Sequence, residues 1–254
     1  MNFKVAYNTD IGIRKQTNQD GLIVKGANTD RGTVLLAVVC DGMGGLSKGE
    51  LASTQVLTAF SDWFEGELPE LLQKGSLDED LFSHWKQLLE RENKRLAEYG
   101  TGNGISLGTT VTAFLIVGKE YYLIHIGDSR IYELTSRILQ LTQDHTVVAR
   151  EVEAGRLTEE QAKTDPRRSV LLQCVGASPM LNPFVKKGAL AQDAVYLLCS
   201  DGFRHTITQE EMFHQLNPKV LTSEQEMTAR LKALTETIKL RKETDNITAV
   251  LIHT

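Results

Sequence analysis

The chain has 254 residues, with 28 basic against 33 acidic side chains and a formal net charge of −5. At 41% apolar and 24% charged residues, its composition is that of a globular protein long enough for a proper core, which excludes disorder and a fibrous chain. The acidic balance argues against a nucleic-acid partner, and the longest apolar run, Val34 to Cys40, is far short of the ~20 residues that span a bilayer.

The N-terminus, Met1 to Asn8, carries neither an apolar signal core nor a small-residue cleavage site. In chain order, Gly21–Val24 and Thr33–Cys40 read as strands joined by a polar turn over Asn28–Gly32. A helix follows the glycine cluster, because Leu51, Val56, Leu57, Phe60, Trp63 and Phe64 recur on one face. A second helix is marked by Leu81, Trp85, Leu88, Leu89 and Leu96, and the run Gly100–Gly104 ends it. Thr109–Val117, Glu120–Ile126, Arg130–Leu134 and Ile138–Leu141 follow as strands with very short turns. Such turns join only antiparallel neighbours, since a parallel crossover needs about a dozen residues. This meander speaks against a doubly wound nucleotide fold.

Residues 144 to 179 break the rhythm as an exposed excursion. Thr146–Ala154 reads as a short helix there, and Thr158 with Gln161 as a capping box. Ala194–Cys199 returns as a buried strand, Met227, Leu231, Leu234 and Ile238 mark a last helix, and Ile247–Ile252 a final strand. With few prolines, no linker and no repeat, one domain over 1–254 is expected, of α+β class. Cys40, Cys174 and Cys199 are odd in number and widely spaced, so a reduced, cytoplasmic protein is expected.

The informative feature is a recurring arrangement. Val38-Val39-Cys40 runs into Asp41-Gly42, Ile126-Gly127 into Asp128, and Cys199-Ser200 into Asp201-Gly202, while Asp245-Asn246 stands at the mouth of the last strand. One aspartate at a strand end has an ordinary explanation as a turn or cap. Four are harder to dismiss, for converging carboxylates repel one another unless a cation lies between them. Oxygen-only ligands select hard ions, so Mg²⁺ or Mn²⁺ is expected rather than zinc. No Cys/His spacing supports zinc, and Asp41–Gly45 lacks both the dinucleotide fingerprint and the Lys-Ser/Thr of a P-loop.

At this point the chain resembles the metal-dependent serine/threonine protein phosphatases, the PPM or type 2C family, in their short bacterial form. The resemblance runs nearly end to end. It is carried by Thr9–Gly12 with Asn18-Gln19-Asp20, Asp41–Gly45, Gly108-Thr109-Thr110, His125–Arg130, Leu141–His145, Cys199–Gly202 and Asp245–Thr248. It implies a four-layer α/β/β/α sandwich of two antiparallel sheets flanked by antiparallel helices, with residues 144–179 as a flap beside the site.

The resemblance implies that Asp41 bridges two metal ions, that the Gly42 carbonyl binds one of them, and that Asp201 and Asp245 hold the other. Asp128, with Asp201, matches a third metal site, and Asp20 orients metal-bound waters. Three carboxylates against two divalent ions leave one net positive charge for a phosphate dianion. A water bridging the ions then attacks phosphorus in line. Lys15 aligns with the family's phosphate-binding arginine, with Arg14 one place earlier as the alternative. Gln19 stands where Glu is frequent, Met43 where eukaryotic relatives carry a histidine, and His205 close to Asp201. Asp165–Ser169 and Gln173-Cys174 depart from the usual flap residues. The expected partners are phosphorylated proteins, substrates of a cognate Ser/Thr kinase, with no nucleic acid, no membrane and a monomeric state. The alternative is a catalytically silent phosphoprotein-binding regulator of the same fold.

Overall fold

A computed structural model describes residues 3–44 and 48–254; Met1, Asn2 and the end of the glycine cluster, Gly45 to Ser47, lie outside the described residues. The strands form two antiparallel sheets. One has the order β1 (Lys4–Asp10), β11 (Ile247–His253), β10 (Val195–Cys199), β7 (Arg130–Leu134), β8 (Ile138–Gln140). The other runs β2 (Asp20–Thr29), β3 (Gly32–Gly44), β5 (Val111–Val117), β6 (Glu120–Ile126), β9 (Phe184–Ala189), with β4 (Leu107–Thr109) paired to the end of β3.

Side chains alternate across a strand, and here the alternation builds the layers. On β3, Val34, Leu36, Val38 and Cys40 pack with Phe60, Trp63 and Trp85 of α1 (Gly49–Lys74) and α2 (Leu77–Asn103). The intervening Leu35, Ala37 and Val39 pack between the sheets against Tyr196, Leu198, Val250 and Ile252. On β10, Val195, Leu197 and Cys199 face away from that layer, onto Met227, Leu231, Leu234 and Ile238 of α7 (Glu224–Leu240). Helices, sheet, sheet and helices are thus four layers, as the resemblance implies.

Several expectations are corrected. β3 continues past Cys40 to Gly44, so Asp41 lies within a paired strand rather than after it. The expected strand from Thr109 is interrupted at Thr110, where the Thr110 amide donates to Asp41 O at 2.9 Å. Gly100 to Asn103 remain helical, and Gly104, at φ 65°, stops α2. Strands β1 and β9, the turn α5 (Asp201–Arg204) and α6 (Gln209–Leu216) were not expected. In the excursion, Thr146 caps α3 (Val147–Glu153), and the Thr158–Gln161 capping box opens α4 (Glu159–Thr164).

Candidate metal centre

The expected aspartates come from both sheets at one end of the sandwich. Pairing of β2 with β3 sets Asp20 directly opposite Asp41. Asp201 follows β10, and Asp245 stands two residues before β11, its neighbour in the other sheet. Ser200 ties the two sheets together, its hydroxyl donating to Asp20 Oδ2 at 2.8 Å in buried surroundings. Asn246 anchors the loop between β1 and β2: its Oδ1 accepts from the Gln19 amide at 2.9 Å, and its Nδ2 donates to Ile11 O at 2.9 Å.

Two glycines permit this crowding. A Cβ on Gly42 would stand 2.2 Å from Gly49 O and 2.6 Å from Gln19 O, and one on Gly202 would stand 2.1 Å from Asn246 O. Any side chain there would push the backbones carrying Asp41, Asp201 and Asp245 apart.

Loss of solvent and mutual repulsion then set the electrostatics. The Asp41 carboxyl is pushed well above the usual carboxylate range, first by withdrawal from water and then by the charges of Asp20, Asp201, Asp128 and Asp245. Burial likewise lifts Asp20 to about 7, against hydrogen bonds from Thr248 and Ser200 that favour its charge. Asp128 rises to about 7 through burial and Asp201, with Arg204 pulling the other way. The Asp201 Oδ1 atom is buried without a hydrogen-bond partner. Among the described residues, no three His, Cys, Asp or Glu side chains are gathered closely enough to enclose an ion as they stand.

Lys15 reaches into this field, its Nζ 2.6 Å from Asp245 Oδ1. Burial works against its charge, but the hydrogen bond and ion pair with Asp245, helped by Asp41 and Asp201, raise its pKa. Arg14 points to solvent and forms no ion pair among the described residues. Gln19 donates its side-chain amide to Glu50 at 3.5 Å, and Met43 pairs with Gly108 in the β3–β4 ladder. His205 lies 3.5 Å from Asp201 Oδ2 and 3.7 Å from Glu243 Oε2. In the excursion, Arg167 closes on Asp165 at 2.8 Å, so this part of the basic pair is committed locally.

The comparisons with known proteins agree with one another. The family described as protein phosphatase 2C matches residues 13–239. The chain belongs to the protein phosphatase 2C family. A protein phosphatase 2C-type protein of Streptococcus pyogenes serotype M6 is 30% identical over 253 residues, covering 98% of this chain and 97% of its own. The serine/threonine phosphatase structure from S. agalactiae superposes with a TM-score of 0.84 at 30% identity, over 100% of both chains. The catalytic domain of the serine/threonine phosphatase PstP, in complex with two manganese ions, gives a TM-score of 0.79 at 26% identity, covering 99% of this chain and 97% of that one. The chain is therefore a phosphatase, an enzyme of phosphoric monoester hydrolysis. None of the helices among its described residues is long and apolar enough to cross a membrane.

Several residues that organise this phosphatase site received no role from the sequence. Ser200, Asn246 and Glu243 brace it: Glu243 Oε1 accepts from the Thr244 and Asp245 amides at 2.7 and 3.1 Å. Asp144 is held by Arg130, whose Nε donates to Oδ1 at 2.9 Å and whose Nη2 donates to Oδ2 at 2.7 Å. A fork of that kind fixes the root of the excursion beside Asp128. Ser200, Asn246, Asp144 and Arg130 stand inside the motifs quoted above and Glu243 stands outside them; only the folded chain reveals their partners.

Proposed function

We propose that this protein is a metal-dependent serine/threonine phosphatase of phosphoproteins, with Asp41, the Gly42 carbonyl, Asp201 and Asp245 holding a pair of Mn²⁺ or Mg²⁺ ions. One observation carries the reading: Asp201 Oδ1 is buried with no proton donor against it, in company with an Asp41 carboxyl that burial, and then the neighbouring acidic groups, hold well above the usual range. Carboxylate crowding of this kind is costly by itself and favourable around hard cations, which take oxygen ligands. The donor set fits.

Ions bound there supply a nucleophile from water near neutral pH and charge compensation for the phosphoryl oxygens. The chain's own groups prepare the substrate. Lys15, leaning over Asp245, is placed to hold a phosphate oxygen as a point charge, and Arg14 is the less favoured alternative. Asp20, fixed by Ser200, is placed to accept hydrogen bonds from water at the centre and so orient it. Met43 cannot transfer a proton, so protonation of the leaving serine or threonine oxygen falls to solvent rather than to a side chain at that position. The excursion over 144–179 is assigned as a substrate-facing flap, within one domain spanning 1–254. Partners are phosphoproteins made by a Ser/Thr kinase.

Hydrolysis of p-nitrophenyl phosphate and of a phosphothreonine peptide, with Mn²⁺ and with EDTA, tests this. The expected result is turnover that needs metal and falls by at least about a thousandfold in Asp41→Asn. Metal binding without turnover would point instead to the silent phosphoprotein-binding relative, and turnover unaffected by EDTA would overturn the metal assignment.

A further inference from the structure

Arg204 closes the short turn α5 that begins with Asp201, and its side chain is only 11% exposed. Its Nη2 donates to the Asp128 carbonyl at 2.8 Å, lies 3.5 Å from Asp128 Oδ2 and 3.6 Å from Asp144 Oδ2. Asp144 is already gripped by Arg130 at 2.7 Å. Two guanidinium groups and the Asp128 and Asp144 carboxyls thus form a largely buried quartet. The Arg204 Nε is buried without an acceptor, so the side chain forgoes a hydrogen bond there to keep Nη2 on these oxygens.

We propose that Arg204 is a built-in counter-cation for Asp128, taking the place at this carboxylate that a third divalent ion would take. The protein then binds two ions and keeps the Asp128–Asp201 pair closed to another. The proposal rests on the reading of Asp41, Asp201 and Asp245 as a two-ion centre, and it removes Asp128 from the list of metal ligands. Three physical points support it. A guanidinium keeps its proton at any working pH, so the charge is permanent. It is tied to the Asp128 backbone as well as the carboxylate, so it cannot swing away without losing a buried hydrogen bond. An arriving divalent ion would meet a fixed positive charge in surroundings where water screens little, and the repulsion scales with the ion's double charge. Arg204 is a positioning residue by this account, touching neither substrate nor ion, and it also joins the turn after Asp201 to the root of the excursion at Asp144.

The test counts Mn²⁺ on the full chain, by isothermal titration calorimetry and by the spin-resonance signal of free Mn²⁺. The wild type should bind two ions. Arg204→Met should gain a third, at least about tenfold tighter than any residual third binding in the wild type, and Mn²⁺ should raise its melting temperature more than it raises that of the wild type. Asp128→Asn, which folds without needing a new partner for Arg204 because the carbonyl contact stays, should leave the count at two with unchanged affinity. A third ion in the wild type that disappears in Asp128→Asn, or an Arg204→Met protein that still binds two, overturns the proposal. If the wild type binds no Mn²⁺ or only one ion, the underlying two-ion reading fails instead, whatever stands at position 204.

Discussion

Around Asp144 each buried carboxylate has a guanidinium against it, from Arg130 at 2.7 Å and Arg204 at 3.6 Å. Around Asp41 the neighbouring charges that act on it are carboxylates, and Lys15 is spent on Asp245 at 2.6 Å. The two regions belong to the same end of the sandwich, yet the chain balances charge in one and leaves it unbalanced in the other. The pKa directions of the two central groups differ accordingly: Asp144 is held below the usual carboxylate range, its arginines outweighing burial, while burial and its acidic neighbours drive Asp41 far above it; Asp128, shared between the two regions, stays raised. Internally paired charge serves the fold. Unpaired like charge is an unfavourable term that only binding can convert into something useful, and the apolar layers on both faces of each sheet tolerate it.

The sharpest way to break this contrast is at the balanced region. Asp144→Asn leaves two buried guanidinium groups without a carboxylate between them, and should cost about 3–5 kcal/mol in chemical denaturation with EDTA present. A change under about 1 kcal/mol would mean that the quartet is ornamental and the contrast false. A smaller effect is expected at the rim of the unbalanced region. Lys15→Ala should raise KM about tenfold while changing kcat less, since a charge-assisted contact to ground-state phosphate is lost. Arg14→Ala should do little. The reverse pattern would show that the loop presents its charges one residue earlier than its contact with Asp245 suggests.

The same contrast explains how much could be read in advance. The apolar strands and three long helices were legible because their apolar patterning is strong: β3 is buried on every residue from Val34 to Cys40. Of the four edge strands, β2 and β8 were legible from Gly21–Val24 and Ile138–Leu141, and β1 and β9 were not. β9 carries Lys186, Lys187 and Gly188, and β1 exposes Tyr7 to 58%, as suits strands with a neighbour on one side only. The α6 helix did have a signal, for Thr208 and Glu211 make a capping box that the spacing alone offers. At the candidate centre, Asp41, Asp201, Asp245 and Asp128 stood out by their recurrence after apolar runs. Arg204 did not, because a single arginine beyond Asp-Gly has no periodicity; its meaning depends on Asp128 and Asp144, 76 and 60 residues earlier in the chain.

Thermal unfolding followed from pH 5 to pH 8, once with EDTA and once with Mn²⁺, separates the metal-free fold from the metal-bound one. Asp20 and Asp128 have folded-state pKa values of about 7 against 3.8 for the free side chain. The metal-free fold therefore keeps protons that the unfolded chain has released, and these groups subtract stability progressively as pH rises from about 4 to about 7. Cation binding at Asp41, Asp201 and Asp245 requires the proton on neighbouring Asp20 to leave, whereas the Asp128 contribution is common to both forms, so stabilisation by Mn²⁺ should grow over the same interval. Buried His125, held down to about 3, acts in the opposite sense in both forms, so the gap between the two curves is the quantity to read. The gap in melting temperature should widen towards pH 8. A gap that is absent, or constant across the range, would contradict the metal assignment.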